Sequence, residues 1–265
     1  MESRVQKSRV QSLEIALREV GLAGRVRVGV PLPVEFLHPA RVPESRPTDE
    51  AARPAPLSPL DSLLWPPESR RGRLIEVAGE ASSGRTALAC RMVAGTTLRG
   101  ELVGWVDLPN ALDPRSLRRA GAEMGSLLWA RPRGLPEALR CAELLLRTGF
   151  ALVVLDLQGA SLSRLARLAS PIWIRLLRRA QEARATALVL VPERVAGASP
   201  TLGLWTERRR ALFEGELFEG IEAYATVVRN RVGPIGMEHP FRVLQRPGGP
   251  PNPSRSPPTR SASVG

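Results

Sequence analysis

The chain is poor in the residues that most metal centres and nucleophilic sites require. Its two cysteines, Cys90 and Cys141, are isolated and each falls in an amphipathic pattern, so both are expected as buried thiols, not as a disulfide or metal site. His38 and His239 are the only histidines, which sets aside a zinc centre and a histidine-based triad. No apolar run approaches the length needed to span a bilayer. The N-terminus lacks an apolar signal region, so a cytoplasmic chain with no membrane partner is expected. Lysine is also nearly missing: Lys7 is the sole one among 38 Lys and Arg residues. The formal charge of +12 therefore rests on arginine, in a chain crowded with Arg, Ala, Gly and Pro. Such a balance points to a polyanion such as nucleic acid. Because the bias acts along the whole chain, a clustered patch says more than the total.

What is present suits one globular domain with flanking segments, since 265 residues with 43% hydrophobic content can bury a sizeable core. Residues 3–20 read as a helix, with Val10, Leu13, Ala16, Leu17 and Val20 at helical spacing and Gly21 and Gly24 ending it. Residues 25–30 alternate as a short strand does. An arm of this size, 1–30, cannot bury its apolar faces alone and must dock on the core or on a neighbouring subunit. Ten prolines between positions 31 and 67 mark 31–56 as an extended linker. Its end, 57–65, turns apolar and is expected against a core that runs over 57–246. The Pro, Ser, Arg and Gly of 247–265 predict a disordered tail.

Within the core, strands are expected at 73–78, 102–107, 151–156, 187–191, 223–229 and 241–244. Helices are expected at 86–98, 117–121, 136–148 and 170–184. The last opens on Ser170 as cap and Pro171 as first residue; Ile172, Trp173, Leu176, Ala180 and Ala183 should point inward and its arginines outward. Residues 192–212 read as a long irregular stretch, followed by an amphipathic segment at 211–221. Strands alternating with helices predict an α/β fold with a mostly parallel sheet and helices on both faces. Ligands of such sheets gather outside the strands' carboxyl ends.

Two features fall at those ends. Gly79, Glu80, Ala81, Ser82, Ser83, Gly84, Arg85 and Thr86 have the spacing of a phosphate-binding loop, G-x-x-x-x-G-K-[ST], with Arg85 in the lysine's place. Backbone N–H groups and a helix N-terminus would cradle phosphates there. Arginine keeps the charge but is planar and forked, so the exchange is not conservative in a close-fitting cradle. Asp156 closes the apolar run ALVVLD, where a second carboxylate would join Thr86 around Mg²⁺.

These strings together resemble a RecA-type P-loop core of the RecA/RadA superfamily. The resemblance rests on GEASSGRTAL at 79–88, VD at 106–107 followed by ALDP at 111–114, LVVLD at 152–156 and AYATVVRNRVGPIG at 223–236. It implies ATP and Mg²⁺ as cofactors and single-stranded DNA as a partner. It also implies a catalytic Glu two residues after Asp107, where Pro109 stands, and a polar nucleotide sensor where Pro192 stands. With Arg85 as well, all three hydrolytic parts are altered. The Arg-rich stretch after Glu193 replaces a Gly-rich DNA loop; Trp205, Arg208, Arg209 and Arg210 are its candidates for gripping a backbone and stacking a base. Trp205 is otherwise a packing residue.

The nearest type by resemblance is ImuA, the accessory factors of mutagenic translesion synthesis. It implies an SOS-response DNA-repair protein with little or no ATP hydrolysis, whose partners are RecA or an error-prone polymerase complex. The arm resembles the segment by which RecA subunits grasp their neighbours, which implies self-association or a grip on RecA. A DNA-dependent recombinase and a damage-induced regulator of cell division are the competing expectations.

Overall fold

Three apolar strands carry the centre of the molecule: β2 (Arg73–Gly79), β5 (Leu152–Asp156) and β6 (Thr186–Val191). Side chains of a strand alternate between faces, so a strand buried on both faces must be apolar at nearly every position. The computed structural model describes residues 26–28, 59–65, 72–168 and 170–244. The expected helix at 3–20, the linker at 31–56 and the tail at 247–265 lie outside them.

Around these strands stand β1 (Val26–Val28), β3 (Val103–Asp107), β4 (Leu127–Ala130), β7 (Leu202–Glu214), β8 (Leu217–Asn230) and β9 (Glu238–Leu244). The order across the single sheet is β1-β4-β3-β5-β6-β2-β7-β8-β9. The six strands from β4 to β7 are parallel. The β7–β8–β9 meander is antiparallel, and so is β1 on β4, with Val26 opposite Ala130. The strand of the arm thus docks on the chain's own sheet.

Helices cover both faces. On one lie α1 (Pro59–Leu64), α2 (Arg85–Thr97) and α3 (Pro114–Arg119). Leu60, Leu64, Leu88, Val93 and Leu117 pack there against Ile75, Val77 and Trp105. On the other lie α4 (Leu135–Arg147), α5 (Leu162–Ala166) and α6 (Ser170–Ala183). Leu145, Leu146, Trp173 and Leu176 pack against Leu74, Ala78 and Val189. Each such side chain contributes roughly 1.5–3 kcal/mol on full burial. The apolar end of the linker lies against the core as expected, and Cys90 and Cys141 are buried free thiols.

Several expectations are corrected. The irregular stretch 192–212 and the amphipathic segment 211–221 are one long hairpin, β7 and β8, turning at Gly215, whose φ is 61°. Its polar half is held by cross-strand partners, such as Arg210 opposite Glu222, which local patterning does not display. Helix α3 begins earlier than 117: the Asp113 carboxylate accepts from the backbone N–H of Arg115 and Ser116, and Pro114 is the first helical residue. Ala183 is exposed at the end of α6, and Leu177 takes the inward position instead. Strand β4 was not expected at all.

Candidate functional site

The loop from Gly79 to Thr86 joins the carboxyl end of β2 to the N-terminus of α2. Two glycines make its shape possible. Gly79 has φ 154°, and a Cβ there would stand 2.3 Å from the Thr206 carbonyl oxygen on β7. Gly84 caps α2 in the left-handed region at φ 95°, and a Cβ there would meet the Phe241 ring at 2.8 Å. Ser82 also has positive φ, at 60°. The Ser83 hydroxyl is buried and bonds the Thr206 hydroxyl at 2.7 Å, which fastens the loop to β7. Glu80, Ala81, Ser82 and Thr86 are exposed. Gly84 offers α2 no side-chain cap, so the first N–H groups of a 13-residue helix face the cleft.

Arg85 is turned inward. Only 5% exposed, it donates to the Val191 carbonyl at the end of β6 over 2.5 Å. Burial lowers its pKa, and the nearby Asp156 carboxylate works against that shift. Asp156 is itself 3% exposed, and its pKa is pushed up to about 6, chiefly by burial. Hydrogen bonds from Gln158 hold that rise back, the Asp107 carboxylate adds to it, and Arg85 opposes it.

The structure brings Thr86 and Asp156 together through a residue that sequence reasoning missed. The Gln158 side-chain amide nitrogen lies 3.3 Å from the Thr86 hydroxyl oxygen and 3.3 Å from Asp156 Oδ2. The Gln158 backbone N–H donates to Asp156 Oδ1 at 3.1 Å. The signal available in sequence was a lone polar residue two positions after Asp156. Asp107, beside Asp156 in the register of β3 and β5, is wholly buried. Its oxygens accept from the backbone N–H of Ala111 and Leu112 and from the Trp129 indole at 3.0–3.1 Å. This carboxylate holds the 108–112 loop, and Pro109 within it lies under Gly159.

A cleft of about 620 Å³ opens beside the loop, walled by α2, α3 and the β7–β9 meander. Arg85, Arg91, Arg119, Arg208 and Arg242 line it, together with Phe218 and Phe241, and no carboxylate is among the described lining residues. Arg91 is paired with Asp61 at 2.9 Å and Arg242 lies 3.6 Å from Glu222. A site of this sign and size suits an anionic ligand with an apolar part.

The four DNA-binding candidates do not form one platform. Trp205 packs against the core cluster beneath α4 and α6. Arg208 faces the cleft, Arg209 stands 5.3 Å over the Tyr224 ring, and Arg210 pairs with Glu222 at 2.7 Å. The loop between β6 and β7 is pinned from beneath: buried Glu76 accepts from the backbone N–H of Val195 and Ala196, both at 2.8 Å. Pro192, where the resemblance implies a sensor, accepts from the Gly79 N–H through its carbonyl at 3.3 Å. No helix among the described residues is long and apolar enough to cross a membrane.

Comparison with known proteins bears on this architecture. Residues 59–169 match the family model of the RecA N-terminal domain. Protein RecA of Mycobacterium marinum is 34% identical over 122 residues, 44% of this chain and 35% of that protein. Protein RecA of Cutibacterium acnes is 34% identical over 117 residues, 44% of this chain and 34% of that protein. For Protein RecA of Mycobacterium tuberculosis H37Rv the identity is 35% over 122 residues, but only 15% of that protein is covered. The matched stretch thus spans about a third or less of these relatives. In fold, the chain is similar to the crystal structure of the RadB recombinase, with a TM-score of 0.52, 23% identity, and coverage of 65% of this chain and 87% of that one. In sequence the chain is thus similar to the RecA N-terminal domain over residues 59–169, and the likeness to RadB is one of fold.

Proposed function

We propose that this chain is a RecA-like accessory protein of DNA repair that keeps a nucleotide-shaped site and does not turn nucleotide over. The observation that carries the reading is the carboxylate inventory around the phosphate loop. A water attacking a phosphoryl group must be oriented by a positioned base. Pro109 stands where such a base belongs and has no group to offer. The acids at the carboxyl ends of β3 and β5 are engaged: both Asp107 oxygens hold the 108–112 loop and the Trp129 indole, and both Asp156 oxygens accept from Gln158, while Glu80, the loop's own acid, is exposed to solvent. Arg85 is committed to Val191 and does not reach out over the loop.

Several features of the cleft nevertheless support phosphate binding. It has a helix N-terminus without a side-chain cap, a glycine-shaped loop, and Arg119 and Arg208 in its lining, with no carboxylate among the described lining residues. ATP is the ligand by family resemblance, held as a structural ligand. In this reading the protein acts in the SOS response, of the ImuA type, through contacts with RecA or an error-prone polymerase complex and with single-stranded DNA. Of the three β7 arginines, Arg208 and Arg209 are exposed, whereas Glu222 holds Arg210.

ATP turnover by the purified full chain, with and without single-stranded DNA, tests the claim. No stimulation by DNA is expected. DNA-stimulated turnover would overturn it in favour of a working recombinase. A pull-down from damaged cells that recovers RecA or the polymerase supports the accessory role. Filamentation on expression with unchanged mutation frequency would instead favour a regulator of cell division.

A further inference from the structure

A metal-binding phosphate loop needs oxygen ligands facing a gap into which the cation fits. Mg²⁺ takes six oxygen ligands at about 2.0–2.1 Å in near-ideal octahedral geometry, and nitrogen donors do not serve it. The two oxygens available here, Thr86 Oγ1 and Asp156 Oδ2, have among the described residues one atom within hydrogen-bond distance of both: the Gln158 amide nitrogen, 3.3 Å from each. An amide NH₂ carries two hydrogens and no free lone pair. It can give one hydrogen to each oxygen, as the two halves of a bridge. The bridge is anchored, because the same residue's backbone N–H holds the other Asp156 oxygen. The charge a cation would neutralise is also answered otherwise, since the buried Arg85 acts on Asp156 and Arg119 and Arg208 line the cleft beside the loop.

We propose that the Gln158 amide takes the place of the divalent cation, so that this loop binds a nucleoside triphosphate without metal. The inference rests on the phosphate-binding reading of the cleft and adds to it how the ligand's charge is met. Thr86, accepting from Gln158, keeps its own hydroxyl hydrogen for a phosphate oxygen. The arginines supply the remaining countercharge. Gln158 is a specificity-determining residue of the site, setting which form of the nucleotide, metal-free or metal-bound, is taken.

The test is a titration of the full chain with a fluorescent ATP analogue, in EDTA and in excess Mg²⁺. The wild type is expected to bind with affinities that agree within about twofold, whereas Gln158→Ala should bind about tenfold or more tightly with Mg²⁺ than without. Gln158→Glu, which puts an oxygen ligand where the donor was, should depend on Mg²⁺ more strongly still. Because Gln158 is only half-buried, both variants are expected to unfold near the wild-type temperature. Wild-type binding that is lost in EDTA overturns the inference and leaves the phosphate site standing. Binding by both variants that ignores Mg²⁺ overturns it too. No binding under any condition overturns the phosphate site itself, and the inference with it.

Discussion

Gly159 lies against Pro109 so closely that a Cβ on the glycine would stand 2.8 Å from the proline Cα and 3.1 Å from its Cβ. The loop after β5 thus rests on the loop after β3, at the spot where the resemblance implies a water-orienting acid. Backbone cannot yield as a flexible side chain can. Gly159→Ala is therefore expected to destabilise the chain by about 1–3 kcal/mol, the usual penalty of overpacking. A denaturant melt reads this as a lower midpoint at unchanged slope. An unchanged midpoint would mean that the two loops are free to part.

The sequence displays the parts of this site whose signals are local. The glycine spacing of 79–84, the apolar run ending in Asp156 and the Ser170-Pro171 start of α6 are each contained in a few neighbouring residues. Features that depend on partners far along the chain are not displayed. Gln158 becomes a bridge only because Thr86, 72 residues earlier, folds over it. Phe241 covers Gly84 only because β9 joins the sheet beyond β8, in a register that no periodicity of 238–244 reveals. The polar half of β7 fails every strand pattern, and is a strand because β8 returns alongside it. At only four residues, β4 is too short to show a period.

Gly84 and Phe241 should be energetically coupled. Gly84→Ala carries two costs, a non-glycine residue at φ 95° and a Cβ 2.8 Å from the ring. The first costs roughly 1–2 kcal/mol and stays in any background. The second vanishes when Phe241 is cut to Ala. A double-mutant cycle is therefore expected to show the pair less destabilising than the sum of its singles, by about 0.5–3 kcal/mol. Strict additivity would mean that the ring moves aside at no cost, and that the loop is not braced by β9.

Asp156 makes stability depend on pH in the sense opposite to an ordinary surface carboxylate. Its pKa in the folded chain is about 6, against about 3.9 when unfolded. The folded state therefore binds this proton more tightly, and between about pH 4 and 6 stability falls as pH rises. Below that window both states are protonated and the residue contributes no difference. Above it the folded state carries the full cost of a buried, ionised carboxyl, on the order of 2–3 kcal/mol. Asp156→Asn cannot ionise, and its side-chain oxygen still accepts one hydrogen bond from Gln158. It is expected to be more stable than wild type at pH 7.5 and equal to it near pH 4, as read by denaturant unfolding. A gap between the two proteins that stays constant with pH would show that Asp156 does not titrate in this range.

On the proposed reading, the salt dependence of single-stranded DNA binding should distinguish the arginines of β7 from one another. Each phosphate neutralised on a single strand contributes about −0.7 to the slope of log K against log salt. Three free arginines would contribute about three times that. Arg208, Arg209 and Arg210 are not equally free, because Glu222 already holds Arg210 at 2.7 Å. Residues 207–222 also contain five glutamates against these three arginines, so an arginine already held by one of them adds little attraction for a polyanion. Arg210→Ala is accordingly expected to leave affinity and slope unchanged, while Arg208→Ala and Arg209→Ala each flatten the slope by about 0.7. Trp205, packed against the core, should report on folding instead: Trp205→Ala lowers the melting temperature and leaves the salt slope alone. Fluorescence anisotropy with a labelled oligonucleotide across a salt series measures all four variants. A Trp205→Ala variant that folds normally yet loses the oligonucleotide would put the indole in the interface, and would require the core beneath α4 and α6 to open when DNA binds.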